Sequence, residues 1–371
     1  MRYYLIAGER SGDLHGSNLV KELKKIDPQA EFRGFGGDYM QQEGVTLTVH
    51  YADMAFMGLV EILTNLNKIS RYIKQCKADI VQYNPDVIIL IDYAGFNRQI
   101  GKFGKKTGRK IFYYISPKVW AWYQVRALEL KANVKRMFVI LPFEKDFFKK
   151  YDWDVDYVGN PVLDAVKAHQ PDLQFMQRNA FDPSQKLIAL LPGSRKQELK
   201  SIVPLMAEVV KKFPQYRFAV ATVSNLDKSL YEPLFTLPNV TPVYDHTYDL
   251  LQNAAAAIVT SGTATLETAL FKVPQIVVYK ANVITYWIIK LAIKVKFISL
   301  VNLIADREVI KELIQGDANP DKVSEELNAI LTDTIYRNTI MAGYDEIYTT
   351  LDTGSASENT ARLMFQYLKR D

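Results

Sequence analysis

Short continuous apolar runs recur along the chain, each followed by a turn and then a segment with helical spacing. Tyr3–Ala7 is the first run, and Asp13–Lys24 after it reads as a helix. Glu31–Phe35 is the second and ends in Gly34-Phe-Gly-Gly37. Asp86–Asp92 is uninterrupted and closes on a carboxylate, and Lys110–Ile115 and Arg136–Leu141 repeat the form. Strands apolar on both faces and separated by helices predict a parallel sheet covered on both sides. Residues 160–186 interrupt the pattern with Pro161, Pro171 and Pro183, which predicts a domain boundary near 165–170. The pattern then restarts with Leu187–Leu191, Arg217–Thr222, Ala254–Thr260 and Gln275–Tyr279. Each half opens on a strand and a Gly/Ser loop, Ala7-Gly-Glu-Arg-Ser-Gly-Asp13 and Leu191-Pro-Gly-Ser-Arg195. Ligands of open α/β sheets sit at the carboxyl ends of the strands, so two such domains facing each other predict one cleft. The chain closes on a helix, Ser355–Lys369, with Ser355 as its cap.

Length and composition agree with this reading. A chain of 371 residues favours two domains over one core. Lys plus Arg number 46 against 41 Asp plus Glu, a net charge of +5. That mild excess, with no basic arm or stripe, suits anionic small molecules or an anionic membrane surface better than duplex nucleic acid. The single cysteine, Cys76, excludes an internal disulfide and a cysteine-based zinc site. The opening run is too short for a signal peptide, and no stretch reaches the roughly 20 apolar residues of a membrane span.

The stretch Ser261-Gly-Thr-Ala-Thr-Leu-Glu267 follows an apolar strand and opens a helix that Lys272-Val-Pro274 stops. Small and hydroxylated residues at a helix N-terminus suit a phosphate, although ordinary helix capping also explains Ser and Thr. Glu267, just inside the helix, can accept hydrogen bonds from sugar hydroxyls. Leu191-Pro-Gly-Ser-Arg195 places an arginine at the mouth of the same sheet, suited to bidentate phosphate binding or to a surface salt bridge. In the first half Glu9, Ser11, Asp13 and Asp92 fall at strand ends. Asp13 reads as a helix N-cap or first-turn acid. Partial burial of Asp92 would raise its basicity. Gly34-Phe-Gly-Gly37 lacks the spacing of a dinucleotide fingerprint. Asp152-Trp-Asp-Val-Asp156 contains an Asp-x-Asp, but at the strand end opposite the expected cleft. The four histidines lack ligand spacing, and His15 is expected to pack on the first helix. Two stretches are apolar and basic: Met57–Leu63, followed by Lys68, Arg71 and Lys74, and Ile284–Phe297, with Tyr286, Trp287 and Ile288. Each suits a helix lying in a membrane surface or one buried between domains.

The segments Ala7–Asp13, Phe56-Met-Gly-Leu-Val-Glu61, Ile91-Asp-Tyr-Ala-Gly-Phe-Asn97, Tyr114-Ile-Ser-Pro-Lys-Val-Trp-Ala-Trp122, Leu141-Pro-Phe-Glu144, Leu191–Arg195, Ser261–Glu267 and Ser299-Leu-Val-Asn-Leu303 together resemble the lipid-A-disaccharide synthase family, in its order and over nearly the whole chain. The resemblance implies a GT-B glycosyltransferase with two Rossmann-like domains: 1–167 for the acceptor, 168–345 for the UDP-sugar donor, and 346–371 crossing back to the first. It implies transfer of 2,3-diacylglucosamine from a UDP carrier to the 6-hydroxyl of 2,3-diacylglucosamine 1-phosphate, giving a β-1,6 disaccharide and UDP with no metal or cofactor. Carried over by residue, Gly193, Ser194, Arg195 and the turn Ser261, Gly262, Thr263, Ala264, Thr265 would hold the diphosphate. Glu267 would bind the ribose and Asn302 would lie near the donor. Glu9 and Asp92 would be the catalytic carboxylates; of the two, Asp92 is the expected general base, with Glu9 the alternative. Ser11, Gly12 and Met57 would serve the acceptor side. Leu59, Val60, Leu63, Trp287 and Ile288 would meet the acyl chains and the cytoplasmic leaflet of a Gram-negative inner membrane.

Two positions depart from the family pattern. Gly95 stands where a second acid is common, and Arg10 where a small hydroxyl residue is common. A UDP-N-acetylglucosamine 2-epimerase or a cell-wall GlcNAc transferase on the same fold is the alternative. Monomer and homodimer both remain open.

Overall fold

The computed structural model describes residues 1–54, 66–224, 226–281 and 295–370. The expected acceptor-side residue Met57 and the expected acyl-contact residues Leu59, Val60, Leu63, Trp287 and Ile288 lie outside the described residues. The chain forms two compact units, Met1–Pro161 with Asp352–Asp371, and Val162–Leu351.

The first unit holds a parallel sheet of β1 (Arg2–Ala7), β2 (Glu31–Gly36), β3 (Thr46–His50), β4 (Val87–Ile91), β5 (Ile111–Tyr114), β6 (Arg136–Val139) and β7 (Asp156–Tyr157), in the order β3-β2-β1-β4-β5-β6-β7. Strands β1, β4 and β5 are buried along nearly their whole length, as their unbroken apolar runs require. On one face Leu5, Ile89 and Phe112 pack with Leu19, Val20 and Leu23 of the helix Arg10–Ile26. On the other, the Tyr4 hydroxyl donates to Asp79 of the helix Leu66–Tyr83 at 2.8 Å, and Arg33 also donates to that carboxylate at 2.7 Å. The second unit repeats the order with β8 (Leu187–Leu191), β9 (Arg217–Thr222), β10 (Val240–Tyr244), β11 (Ala256–Thr260), β12 (Gln275–Tyr279) and β13 (Glu312–Ile314), as β10-β9-β8-β11-β12-β13, all parallel. Strand order reverses between β1 and β4 in the first unit and between β8 and β11 in the second. A doubly wound sheet binds ligands at this point.

The divisions expected at 167/168 and 345/346 shift to Pro161/Val162 and Leu351/Asp352. Leu163, on the helix Pro161–Ala168, is buried in the second unit's core, so that helix belongs there rather than to the linker. Tyr344, Ile347 and Leu351 of the unbroken helix Thr334–Leu351 join the same core. The last helix, Ala356–Arg370, returns Ala361, Met364 and Leu368 to the first core. The Asn359 amide donates to the Val158 carbonyl at 3.1 Å, and the Tyr367 hydroxyl to Asp156 at 3.1 Å. Asp156, the last acid of the Asp-x-Asp stretch, therefore anchors this helix.

Asp13 lies in the first turn of its own helix, one of its two expected readings, and is not that helix's N-cap. It is fully buried and accepts the backbone N–H groups of Gly37, Tyr39 and Met40 at 2.7, 3.0 and 3.1 Å. Gly34–Gly37 is thus the loop that presents its amides to Asp13, and the short helix Asp38–Gln42 receives a cap from another helix. His15 sits on the first helix, where burial lowers its pKa to about 4 and keeps the ring neutral.

Candidate active site

At the first switch point the chain leaves β4 through two consecutive non-glycine residues in the left-handed region, Asp92 (φ 43°) and Tyr93 (φ 46°). Such a conformation is strained and persists only when neighbours fix it. Here they do. The Asn97 amide donates to the carbonyls of Asp92 at 2.7 Å and Ile91 at 3.2 Å. The Tyr113 hydroxyl also donates to the Asp92 carbonyl, and the Asp92 N–H donates to Tyr114 at 3.2 Å. The neighbouring turn, Gly8-Glu9, packs directly against this one. A Cβ on Gly8 would lie 2.2 Å from the Tyr93 ring, so only glycine lets the two turns meet.

Burial, with the nearby charge of Glu9, raises the Asp92 pKa to about 6, and Lys118 and the Tyr93 amide oppose this. Glu9 precedes the first helix, caps none of its amides and instead accepts from the Ser11 hydroxyl at 2.9 Å. Gly12 is buried against Ala7. Gly95 is exposed and a side chain there would meet open space. Arg10 reaches the Tyr39 hydroxyl at 3.2 Å. Glu144, which ends the segment Leu141-Pro-Phe-Glu144 and was given no role from the sequence, fixes the loop that carries Lys118. It is buried, accepts from the Ser116 hydroxyl and from the Leu141 amide at 2.9 Å, and is raised to about 7 by burial.

At the second switch point two turns meet the carboxyl ends of β8 and β11. In the first, Gly193 has φ 107°, and a Cβ there would stand 2.4 Å from a Glu198 carboxylate oxygen. Glu198 accepts the amides of Ser194 at 3.1 Å and Arg195 at 3.2 Å, which satisfies the backbone donors at the start of the helix Lys196–Lys211. The Arg195 side chain is 76% exposed and only 3.3 Å from Glu198, so the surface salt bridge forms and leaves most of the guanidinium to solvent. In the second turn, Gly262 is the N-cap of the helix Thr263–Leu270 and no side chain caps it. Gly262 and Thr263 are exposed and Ala264 is partly so, which leaves the positive end of the helix open to an anion. Ser261 and Thr265 act differently from expectation. The Ser261 hydroxyl donates to the Ile298 carbonyl at 2.9 Å, and the buried Thr265 hydroxyl to the Gly262 carbonyl at 2.8 Å.

Asn302 requires a correction. It is fully buried, and its amide donates to the Ile310 carbonyl and to Glu312, both at 2.9 Å. Its oxygen accepts from Val309 at 2.8 Å and Ile310 at 3.1 Å. All four hydrogen-bonding positions are used inside the protein. Asn302 is a brace for the Ser299–Glu312 region, not a direct ligand. Glu312, missed in the sequence, also takes the Ile298 amide at 2.9 Å and the Ser299 hydroxyl at 2.6 Å. It thereby fixes the carbonyl that Ser261 uses.

Burial raises the Glu267 pKa, opposed by a hydrogen bond from Tyr248 at 2.9 Å. Tyr248 was also missed. Its ring packs against Phe271 at 5.0 Å and His169 at 5.5 Å. Among the described residues one group of side chains has metal-ligand spacing, Asp172, His246 and Asp249. Asp249 already accepts the Asp172 amide at 2.9 Å and meets His246 at 3.0 Å and His169 at 3.2 Å, which ties this loop to the helix carrying Tyr248. Removing the hydroxyl in Tyr248→Phe is expected to raise the KM for a UDP-sugar by ~3- to 10-fold, the net worth of one ordinary hydrogen bond, with kcat little changed. An unchanged KM in steady-state kinetics would separate Tyr248 from nucleotide recognition.

Two doubly wound parallel domains with polar groups gathered at both switch points define the GT-B class. Solved structures agree on the fold. A putative UDP-N-acetylglucosamine 2-epimerase from Listeria monocytogenes matches at TM-score 0.69 and 14% identity, covering 100% of this chain and 97% of that one. The glycotransferase of kitacinnamycin matches at 0.69 and 13%, covering 99% and 97%. The lipid-A-disaccharide synthase of Geobacter sulfurreducens is 36% identical over 99% of this chain and 97% of its own length. That of Coxiella burnetii (strain Dugway 5J108-111) is 34% identical over 97% and 96%. The lipid-A-disaccharide synthetase family model matches residues 3–364, and the chain belongs to this family of glycosyltransferases.

Proposed function

We propose that the chain transfers 2,3-diacylglucosamine from its UDP carrier to the 6-hydroxyl of 2,3-diacylglucosamine 1-phosphate, with inversion at the anomeric carbon. The observation that supports this most is the strained turn that holds Asp92 beside Glu9 at a switch point, with a carboxyl raised to about 6. At neutral pH such a group is ionised yet basic enough to take a proton.

The acceptor hydroxyl gives its proton to Asp92 as its oxygen bonds to the anomeric carbon. The bond from that carbon to the diphosphate oxygen breaks, and the electron pair leaves with UDP. Glu9 keeps Asp92 basic, and Ser11 and Gly12 shape the acceptor side. The charge growing on UDP is met by the uncapped helix start at Gly262–Ala264 and by Arg195, so the leaving group needs no metal. Glu267, oriented by Tyr248, takes the ribose hydroxyls. Ser194 and Gly193 contribute backbone to the phosphate turn. No helix among the described residues is long and apolar enough to cross a membrane. Working on acylated substrates, the enzyme acts from the cytoplasmic side at an anionic inner-membrane surface.

The test is incubation of purified protein with UDP-2,3-diacylglucosamine and 2,3-diacylglucosamine 1-phosphate, with products read by mass spectrometry. One disaccharide 1-phosphate per UDP released is expected. An epimerised UDP-sugar formed without acceptor would instead support the 2-epimerase reading that the structural likeness permits.

A further inference from the structure

After β5 the chain runs through Ser116–Val125 into the helix Arg126–Asn133. The first part is anchored: Trp120 is buried and meets the Phe143 ring edge-on at 5.0 Å, and the Gln124 amide donates to the Trp120 carbonyl at 2.9 Å. Beyond it the apolar side chains turn outward. Trp122 is 42% exposed, Tyr123 64%, Val125 74% and Leu128 51%. Among the described residues the other exposed large apolar side chains stand singly along the chain. Isolated ones need no explanation, whereas a contiguous group marks a contact surface.

This surface is built rather than loose. Tyr123 is held in the left-handed region at φ 51°, the Arg126 amide donates to its carbonyl at 2.8 Å, and the Arg126 guanidinium lies 4.7 Å over its ring. Glu129 of the same helix pairs with Arg98 at 2.7 Å and Lys102 at 2.8 Å. Those two residues belong to the helix Ala94–Lys106, which starts immediately after the Asp92–Tyr93 turn. The patch and the candidate base are thus parts of one clamped assembly. Lys118, exposed at the near end, is close enough for its charge to act on the Asp92 carboxyl.

Apolar side chains beside two exposed cations, Lys118 and Arg126, complement a molecule with an acyl chain and an anionic phosphate. We propose that Trp122, Tyr123, Val125 and Leu128 seat an acyl chain of the acceptor lipid, with Lys118 and Arg126 facing its phosphate. The inference rests on the transferase reading and assigns the acceptor's lipid specificity to this segment.

The test compares wild type with the double variant Trp122→Ser, Val125→Ser in detergent solution. The acceptors are 2,3-diacylglucosamine 1-phosphate and its deacylated counterpart, glucosamine 1-phosphate. Both positions are exposed, so the melting temperature and UDP affinity are expected to hold. For the acylated acceptor the KM is expected to rise ~10-fold or more, the worth of a small apolar contact. The donor KM and the KM for the deacylated acceptor are expected to stay unchanged. An unchanged KM for the acylated acceptor, or an equal rise for both acceptors, overturns the inference. Loss of binding to anionic phosphatidylglycerol vesicles with acceptor KM intact would make the patch a bilayer contact and also overturn it. If wild type transfers to neither acceptor, the transferase reading falls first and this one with it.

Discussion

Asp92→Asn is expected to lower kcat by ~10²- to 10⁴-fold, the contribution of a positioned general base. UDP affinity is expected to stay at the wild-type value, because the groups proposed to hold the nucleotide lie in the other unit. The same substitution should stabilise the protein. Burial raises the folded pKa from the ordinary 3.8 to about 6, so the stability Asp92 contributes is full below about 3.8 and is lost as pH rises through about 6. At neutral pH the ionised carboxylate is a net cost that asparagine does not carry. A rise of about two pH units at ~1.4 kcal/mol each gives an upper bound of about 3 kcal/mol, reduced by the partial solvent contact of the side chain. Thermal unfolding at pH 7 with a parallel turnover assay checks both halves. A variant that keeps wild-type turnover would remove Asp92 from the chemistry, and one that melts lower would contradict the electrostatic origin of its pKa.

Arg195→Ala is expected to weaken UDP binding by ~10- to 100-fold, the range for a charge-assisted hydrogen bond to phosphate. The local fold should survive. Glu198 accepts from the backbone amides of Ser194 and Arg195, which the substitution leaves in place. The lost ion pair, at 3.3 Å with an arginine 76% exposed, contributes little to stability. Calorimetric titration with UDP separates the two effects: weaker binding at an unchanged melting temperature is expected. Unchanged affinity would leave Arg195 as the surface salt bridge that its partner Glu198 also allows.

The repeated architecture was legible because strands buried on both faces write continuous apolar runs. Leu187–Leu191, Arg217–Thr222 and Gln275–Tyr279 have the bounds expected of them. The strands not anticipated are Thr46–His50, Val240–Tyr244 and Glu312–Ile314, which border their sheets. Border strands are only half covered, so they are shorter or more polar, and Pro242 is tolerated in one because an edge need not donate every amide. The positions of Glu9, Asp92, Arg195 and Ser261–Glu267 at strand ends were readable from local pattern.

What each polar side chain holds was not readable, because it depends on partners far away in sequence. Asp13 and the Gly37 amide are brought together by the pairing of β1 with β2. Asn302 and Glu312 meet across a loop, and Tyr248 reaches Glu267 only once β11 is in place beside β8. The strained backbone at Asp92 and Tyr93 had no sequence signal, since neither is a residue that favours the left-handed region as glycine does.

The most direct test of Asp92 as the base is the pH dependence of kcat, measured for wild type and Asp92→Asn with saturating donor and acceptor. Wild type is expected to lose activity as pH falls through about 6, following protonation of this carboxyl, while the residual rate of the variant shows no such limb. A wild-type rate that is flat from pH 5 to 8, or the same acid limb persisting in Asp92→Asn, would assign the proton transfer to another group.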